Sequence, residues 1–557
     1  MSCLRHGTLV CLALTAACAP SPGPAPTAPA APVSVPGAPA PVAPAEPQPE
    51  RGGSFQIIGI RDLPHLHPWS NVSPNIQFYL RGVYQQLLAW DYKPFQDWRE
   101  EYRLTPSLAE RWELKDGSTY TLNLQKGVKW HDGQPFTSRD VQWSFEQLMD
   151  PANAYEGRSP LQNVASTAVL DDHTLQIVTK TPDVTFLGSL TEHTASIAPQ
   201  HVLARGDKFE QVAVGTGPFK VESHDRQKGV TYVPNKDYWQ PGRPYVDRWK
   251  VFPTQDPAGR TAAFIARQND VLKLTDKPQV DPIVRAAPQT KSLAFLRDIS
   301  MGLSFRLDRP PFNDIRVRRA IHLAIDRQAM VQGLTFGAGV FNPPGVNAAR
   351  KSMAMPKEEL EKLPGWRQPK DQDIAEAKRL LAEAGYSDRL SFTVKVDVGN
   401  VDGPIQAEAA VAQLQKIGID AKLAPLESGI FDKTIYTDRD FESYVWSLDY
   451  TAPERSWQRD YHSKGSKNVR PINDPELDRL IEGQAREFDE NKRKQLILDI
   501  QRLLLKELYI APLITYPGYL LWQPYVHGWI DNQAGQAATM DWSQLWLSVG
   551  DLPKDRS

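Results

Sequence analysis

The hydrophobic residues in the first half of the chain recur mainly with the period of β-strands. Tyr120-Thr-Leu-Asn-Leu-Gln alternates apolar and polar residues and predicts a half-buried strand, and Lys115-Asp-Gly before it is typical of a hairpin turn. A helix is predicted from Ser138 to a stop at Asp150-Pro151. Its apolar residues have helical spacing: Val141, Phe145 and Leu148. This half is therefore predicted to consist mainly of strands and turns.

The second half follows a pattern of helix, glycine and strand. Helical periodicity predicts helices over residues 313–331, 373–384, 405–417 and 491–508. One face of the first of these helices carries Val317, Ile321, Ala324 and Ile325. Gly385 suits the position after a helix end, and Gly418 separates the third helix from the alternating run Ile419-Asp-Ala-Lys-Leu. Such units imply a sheet covered by helices, so an α/β fold is predicted.

The first seventeen residues have the organisation of a secretory signal. A weakly basic start at Arg5 precedes an apolar stretch over residues 8–17, which is too short to cross a bilayer stably. Ala16-Ala17 before Cys18 resembles a bacterial lipobox, in which the cysteine is acylated and becomes the new N-terminus, although Thr15 stands where leucine is usual. We predict a signal peptide over residues 1–17 and lipidation at Cys18. The alternative is an ordinary signal peptide with an incidental cysteine.

The remaining cysteines and the next segment extend this interpretation. Cys3 and Cys11 lie in the signal, so a protein lipidated at Cys18 has no thiol in its folded part, which excludes disulfides, thiolate metal sites and a cysteine nucleophile. Residues 19–50 contain twelve prolines, and Glu46 and Glu50 are their only charged residues. We therefore assign residues 18–51 to the lipidated cysteine and an extended linker with a reach of about 100 Å.

Composition narrows the class of the remaining chain. Its length suffices for two or three domains with substantial cores. A formal net charge of −2 and a pI near 6.6 show no bias toward nucleic acid, and no later segment approaches eighteen uninterrupted apolar residues. Fifteen tryptophans and eighteen tyrosines suit a protein that lines a cleft with flat rings, although a purely structural use is equally open.

An ordered series of motifs covers nearly all of residues 52–530. It comprises Pro106-Ser-Leu-Ala-Glu-Arg-Trp-Glu113, Tyr120-Thr-Leu-Asn-Leu-Gln-Lys-Gly-Val-Lys-Trp-His-Asp-Gly133, Gln134-Pro-Phe-Thr-Ser-Arg-Asp-Val141, Val214-Gly-Thr-Gly-Pro-Phe219, Asn235-Lys-Asp-Tyr-Trp239, Pro244-Tyr-Val-Asp247, Pro311-Phe-Asn-Asp-Ile-Arg-Val-Arg-Arg-Ala-Ile321, Ala324-Ile-Asp-Arg327, Ala377-Lys-Arg-Leu-Leu-Ala-Glu-Ala-Gly385 and Trp446-Ser-Leu-Asp-Tyr450. As a set, these motifs resemble extracellular solute-binding protein family 5, the dipeptide, oligopeptide and nickel-binding class of ABC importers.

The resemblance implies a two-lobed periplasmic-binding-protein fold with the ligand cleft between the lobes. Carried onto this chain, lobe I comprises residues 52–302, with an extra subdomain at about 90–215, and the C-terminal return over 513–557. Lobe II then comprises residues 303–512. The change of hydrophobic pattern near residue 303 agrees with this division independently of the family.

The resemblance also implies four ligand-binding residues. In relatives that bind peptides, an acidic residue in the Trp-x-x-Asp-Tyr setting pairs with the α-ammonium of the ligand, and Asp449 occupies that setting here. Trp446 and Tyr450 would form cleft walls, and Tyr155 lies where relatives bring a subdomain loop toward the ligand. The alternatives are a turn-capping role for Asp449 and core positions for the rings. Asn71-Val-Ser-Pro has no acidic residue where some oligopeptide binders carry a second amine partner, so the predicted ligand is a peptide or another amine-bearing solute.

Other motifs are interpreted as structural. Gly215-Thr-Gly217 lacks the third glycine and the following helix of a dinucleotide loop and is expected to let the chain turn tightly. His131 is expected to be a hydrogen-bonding residue of a turn. His65 and His67 provide two imidazoles without a further ligand nearby, so no metal site and no cofactor are predicted.

The sequence therefore predicts a solute-binding lipoprotein of an ABC importer. It would act as a monomer in the periplasm, anchored to a membrane through Cys18, and deliver its ligand to the transmembrane subunits of a permease. The sequence contains no recognisable catalytic constellation, so an enzyme is not expected. The alternatives left open are a periplasmic sensor, a chaperone-like binding protein, and a binder of nickel, a metal complex, an opine or a sugar.

Overall fold

The computed structural model describes most of the chain beyond the predicted linker. The described residues are 48–59, 63–69, 78–90, 104–153, 155, 161–254, 256–297, 299–348, 350, 352–387, 389–400, 402–449, 453–528 and 541–556. The predicted signal peptide, Cys18 and Tyr450 lie outside this range. For Asp449, the backbone alone is described.

The strands are numbered in chain order. They are β1 (Ser54–Gly59), β2 (Leu88–Trp90), β3 (Leu104–Pro106), β4 (Ala109–Lys115), β5 (Thr119–Leu124), β6 (Val164–Asp171), β7 (Thr174–Thr179), β8 (Phe219–Asp225), β9 (Gly229–Pro234), β10 (Arg248–Pro253), β11 (Val271–Leu274), β12 (Lys291–Leu296), β13 (Ile299–Phe305), β14 (Val340–Phe341), β15 (Leu390–Asp397), β16 (Ile419–Leu426), β17 (Ser443–Asp449), β18 (Ile510–Pro512), β19 (Ile514–Thr515), β20 (Pro517–Trp522), β21 (Val526–His527) and β22 (Trp546–Leu547).

The helices are numbered in the same way. They are α1 (Ser138–Met149), α2 (Phe186–Ser189), α3 (Gln200–Ala204), α4 (Pro257–Ile265), α5 (Lys277–Ala286), α6 (Ile315–Ala324), α7 (Arg327–Thr335), α8 (Lys357–Leu360), α9 (Asp371–Glu383), α10 (Asp402–Leu414), α11 (Ser428–Asp432), α12 (Pro453–Ser456), α13 (Pro475–Arg486) and α14 (Glu490–Glu507). Wider π-type turns continue α11 over Lys433–Thr437 and α12 over Trp457–Tyr461. Among the described helices, none is long and apolar enough to span a membrane.

One group of sheets, which we call lobe I, contains both the beginning and the end of the described chain. Strands β1-β10-β9-β8 form one sheet and β11-β20-β12 another. The ring of Trp249 stacks between Tyr232 and Trp542, with centroid distances of 4.1 and 3.9 Å. Near the end of the chain, Arg556 forms a buried ion pair with Asp270. The C-terminal segment therefore completes the core of lobe I.

An antiparallel sheet in the order β4-β5-β7-β6 forms a separate core within lobe I, which we call the subdomain. Asp116 and Gly117, with φ of 53° and 71°, form the predicted hairpin turn between β4 and β5. Helix α1 covers the sheet and begins with a capping box, in which Thr137 and Asp140 hydrogen-bond each other's backbone N–H groups. The apolar residues predicted for α1 are all buried: Val141, Phe145 and Leu148.

The five-stranded sheet β16-β15-β17-β13-β18 forms the centre of the remaining part, lobe II. Strand β15 pairs in parallel with β16 and β17, whereas β13 pairs antiparallel with β17 and β18. Helices α6, α9 and α10 contribute buried residues to the core against this sheet. Gly385 and Gly418 follow α9 and the α10 region with φ of 89° and 86°, as predicted for helix ends.

The prediction of one continuous helix over residues 313–331 is wrong. The structure has two helices, α6 and α7, separated at Ile325 and Asp326. Asp326 caps α7 by accepting a hydrogen bond from the backbone N–H of Ala329, and its own N–H donates to the side chain of Gln413 at 2.6 Å. Because Gln413 belongs to α10, a tertiary contact fixes the break.

The chain changes sheet between β12 and β13, and again between β18 and β20. The predicted division into residues 52–302, 303–512 and 513–557 remains a proposal, and these two crossings are the features of the fold that support it.

Candidate functional site

Strand β17 brings the predicted motif Trp446-Ser-Leu-Asp449 into the sheet of lobe II. The antiparallel register places Trp446 opposite Gly302 and Asp449 opposite Ile299, the first residue of β13. The neighbouring residues Tyr444 and Val445 are buried in two different clusters, as expected for a strand with apolar residues on both faces. Asp449 therefore ends a central strand at the position where the chain enters lobe II.

The carboxyl ends of three parallel strands meet at this edge of the sheet. Strand β15 pairs along its length with β16, so that Asp397 lies beside Leu426, and Val396 pairs with Val445 of β17. In open α/β sheets, ligands bind outside the carboxyl ends of the strands. The edge that carries Asp449 is therefore the candidate ligand-binding edge of lobe II.

The ring of Trp446 is half-buried at this edge and stacks on Phe431 of α11. The two ring centroids are 5.0 Å apart with an interplanar angle of 26°. Trp446 packs against a buried cluster that also contains Ile435 and Val469. Trp446 therefore has a packed face and a partly exposed remainder, as expected for a residue of a cleft wall.

The crossing from lobe I to lobe II is fixed by polar contacts beside Asp449. Arg297, two residues before Ile299, forms an ion pair with the largely buried carboxylate of Asp402 at the start of α10. The carbonyl of Arg297 accepts a hydrogen bond from Asn347 Nδ2 at 2.7 Å. Burial, assisted by the negative charges of Asp402 and Asp276, raises the pKa of Tyr516 well above its ordinary value. The candidate site thus lies beside a fixed and charged crossing of the chain.

Polar contacts of α12 and α13 join lobe II to lobe I. Arg455 of α12 forms an ion pair with Glu192 of lobe I, and both side chains are about one-third exposed, at 32% and 30%. The backbone N–H of Val184 in lobe I donates to the carbonyl of Ala485 in the last turn of α13, at 2.8 Å. Arg455, six residues after Asp449 in the sequence, therefore links lobe II to lobe I.

A buried ion pair connects Glu454, the residue before Arg455, to the end of α13 through Arg493 of α14. Glu454 accepts a hydrogen bond from Arg493 Nη2 at 2.6 Å, and Arg493 also donates from Nε to the carbonyl of Gln484 at 3.3 Å. Burial alone would raise the pKa of Glu454, but the charges of Arg493 and Arg350 lower it below its ordinary value. The two contacts with lobe I are thus carried by one connected unit of lobe II.

Tyr155 belongs to an aromatic cluster of the subdomain. Its ring lies 5.0 Å from that of His67 and 5.5 Å from that of Trp69. Burial, and then the charge of Glu210, raises the pKa of the Tyr155 hydroxyl. The structure therefore places Tyr155 and Trp446 in different aromatic clusters. The side chain of Tyr155 is partly buried by its neighbours.

His65 and His67 are constrained by burial and, for His67, by a backbone hydrogen bond. Burial lowers the pKa of both, to about 4 for His67, whose Nδ1 accepts a hydrogen bond from the backbone N–H of Trp69 at 3.1 Å. One ring nitrogen of His67 is thus already used. Within the described part of the chain, no group of three or more His, Cys, Asp or Glu residues is arranged to hold a metal ion.

His131 and the glycine run form one buried structural unit. Nδ1 of His131 accepts from the N–H of Gly215 at 3.2 Å, and Nε2 donates to the carbonyl of Gly217 at 3.0 Å. Neither glycine has a positive φ. A side chain at Gly215 would instead collide with the carbonyl of Val83, and one at Gly217 with that of Gly82. The glycines are therefore needed for close approach of two backbones, and the chain bends beside them at residues 216–218.

Several residues of the site were not predicted from the sequence. Glu192, Arg455 and Phe431 acquire their roles through contacts between segments far apart in the chain. The position of Arg455 six residues after Asp449 was visible, but its acidic partner was not. Of the predicted residues, Tyr450 lies outside the described range, so no contact of it is described.

Comparison with known proteins identifies the family to which the chain is similar. The sequence profile described as "Bacterial extracellular solute-binding proteins, family 5 Middle" matches residues 103–468. The chain is 26% identical to a dipeptide-binding protein of Pseudomonas aeruginosa over 459 residues, which cover 76% of this chain and 84% of the relative. It is also 26% identical to heme-binding protein A of Haemophilus influenzae over 472 residues, covering 78% and 83%.

A solved structure shows the same fold. The periplasmic binding protein DppA of Helicobacter pylori, in complex with the peptide STSA, superposes with a TM-score of 0.74 at 22% sequence identity. The match covers 89% of this chain and 98% of that protein. The predicted two-lobed α/β fold is thereby confirmed.

Proposed function

The chain belongs to the bacterial extracellular solute-binding proteins of family 5, and from this premise we propose that it is the binding protein of an ABC importer for a peptide or a similar small, amine-bearing solute. The ligand would be held at the carboxyl edge of the lobe II sheet and covered by lobe I. The protein would deliver it to the transmembrane subunits of a permease from the periplasm, where lipidated Cys18 would anchor it to a membrane.

The observation that carries this proposal is that the end of β17 at Asp449 and Arg455, which pairs with Glu192 of lobe I, are only six residues apart in the sequence. A ligand bound at the carboxyl end of β17 and covered by lobe I would contact both lobes. Such a ligand stabilises the closed form, because only a molecule with different affinities for the open and closed forms shifts the equilibrium between them.

We assign the ligand's ammonium group to Asp449. A carboxylate in a closing cleft loses water, and this cost is offset when an ammonium group takes the place of the water. Trp446 would provide an adjacent flat wall, Tyr450 a further wall, and Tyr155 the contribution of the subdomain loop. Such a ligand is supported by the relatives, which include a dipeptide-binding protein and a binding protein solved with a bound tetrapeptide.

Native mass spectrometry of the purified protein tests the class of ligand by identifying the molecule that co-purifies with it. Isothermal titration calorimetry with short peptides, each with a free and with an acetylated amino group, then tests the charge partner. Asp449→Asn should weaken binding of the free-amine peptides by roughly 2–5 kcal/mol, because the ammonium loses its buried partner. It should change binding of the acetylated peptides much less.

The matched control for Asp449→Asn is Asp438→Asn. Asp438 is a partly exposed carboxylate of lobe II that pairs with Lys433, away from the sheet edge. Asp438→Asn should leave the affinity for the free-amine peptides unchanged. Equal affinity of wild type and Asp449→Asn for a free-amine peptide would remove the assignment of Asp449. Co-purification of a ligand without any amine would remove the proposed ligand class.

A further inference from the structure

Two of the most exposed large aliphatic side chains of lobe II lie at the candidate ligand-binding edge. Val398, directly after β15, is 56% exposed, and Ile430, in α11, is 57% exposed. Single exposed apolar residues are common on protein surfaces and require no explanation. Val398 and Ile430 differ from such single residues because the loops that carry them are in contact.

Hydrogen bonds hold the two loops together. The N–H of Val398 donates to the carbonyl of Leu426 at 2.9 Å, and Ser428 Oγ donates to Asp397 Oδ1 at 2.7 Å. A side chain at Gly399 would collide with Ser428 Oγ, so the loops are packed against each other. The positions of Val398 and Ile430 are therefore fixed relative to each other by the backbone and by short side chains.

The exposed pair is linked through its loops to the aromatic cluster of Trp446, whose member Phe431 is itself fully buried. Phe431 follows Ile430 directly and stacks on Trp446, and Leu426 packs in the same cluster. We call Val398, Ile430, Phe431 and Trp446 the apolar edge. It lies at the carboxyl ends of β15, β16 and β17, the same ends at which Asp449 terminates its strand.

We infer that the apolar edge binds an aliphatic or aromatic group of the ligand, so that the transported solute carries such a group beside its amine. This inference rests on the proposed function. The exposed parts of two aliphatic side chains and one indole are too small for a protein partner, since each partner of a standard interface buries roughly 800 Å². They match the size of a single hydrocarbon group, whose removal from water drives the contact.

The test is calorimetric titration with matched pairs of free-amine ligands. Gly-Leu is compared with Gly-Asn, and leucinamide with asparaginamide, because the second pair contains no bond between two amino acids. The apolar member of at least one pair should bind about tenfold more tightly or better, as expected for a hydrophobic pocket. Ile430→Asn should abolish that preference by weakening the apolar member alone.

The control variant is Leu170→Asn. Leu170 is 56% exposed, as Val398 is, but lies in β6 of the subdomain, so its replacement should leave the preference unchanged. Val398→Thr provides a second variant at the edge with nearly the same shape as valine, and it should reduce the preference severalfold. Circular dichroism of each variant verifies the fold.

The outcomes separate the inference from the proposed function. Peptide binding without discrimination in either pair, or a preference that Ile430→Asn leaves intact, would overturn the inference while peptide binding stands. Discrimination within the amide pair without binding of either dipeptide would refute the proposed peptide ligand and support the apolar edge. Absence of discrimination in both pairs, including absence of binding, would overturn the inference.

Discussion

The ion pair between Glu192 and Arg455 is expected to contribute to closure of the lobes. Replacement by Glu192→Gln or Arg455→Gln keeps the approximate shape and removes one charge. The pair is about one-third exposed, so solvent screens it, and exposed ion pairs contribute roughly 0.2–1 kcal/mol. We therefore expect about 0.5–1 kcal/mol less stability of the closed form.

This change has a direct effect on ligand affinity. The apparent dissociation constant rises as the fraction of binding-competent protein falls, so a loss of about 1 kcal/mol corresponds to roughly fivefold weaker binding. Calorimetry on the two single variants and the double variant gives the coupling energy of the pair. The coupling should decrease at high salt, since partly exposed charges are screened.

The assay includes a pair that does not join the lobes. Arg248 and Glu222 form an exposed ion pair inside lobe I, with 2.6 Å between Nη2 and Oε1, so Glu222→Gln should not alter affinity. Small-angle scattering without ligand should show a larger radius of gyration for Glu192→Gln than for Glu222→Gln. A coupling energy of zero between Glu192 and Arg455, together with unchanged scattering, would refute the reasoning.

Three further predictions follow from other parts of the structure. Burial lowers the pKa of His131 to about 4, below its unfolded value of about 6.5. The free energy of unfolding, measured by urea denaturation, should therefore be about 3 kcal/mol higher above pH 6.5 than near pH 4. His131→Gln should flatten this dependence. Gly215→Ala should destabilise the protein by about 1–3 kcal/mol through its collision with Val83, whereas Gly333→Ala, in the open middle of α7, should stabilise it by about 0.5–1 kcal/mol. Effects of the same sign for the two variants in melting experiments would contradict the packing argument. Cys18→Ser should move the protein from the membrane fraction to the soluble fraction, and an unchanged distribution would remove the proposed anchor.

The elements that could be predicted from the sequence are those specified by local chemistry. Helix α1 has its cap, its apolar stripe and its stop within one short run, and Gly385 and Gly418 mark helix ends because a left-handed residue is needed there. The two-lobed fold was predicted differently, as what the resemblance of the ordered motifs to a known family implies.

The features that could not be predicted depend on distant partners. The break between α6 and α7 is fixed by Gln413 of α10, which helical periodicity over residues 313–331 does not contain. Asp449 and Trp446 were identified from one motif, but the pairing of Arg455 with Glu192 joins segments of different lobes. The close approach of Gly215 to the carbonyl of Val83 could not be predicted, because the two residues are remote in sequence.

The hydrogen bond from Val184 to Ala485 can stabilise the contact between the lobes independently of the side chains that select the ligand. Carbonyl groups in the last turn of a helix have no partner within the helix, and here the other lobe provides one from its own backbone. No side chain takes part, so substitutions along the cleft can alter which solute is accepted without removing this contact. In a family whose members bind chemically different solutes on one fold, such a backbone contact between the lobes can be kept while the residues that line the cleft change.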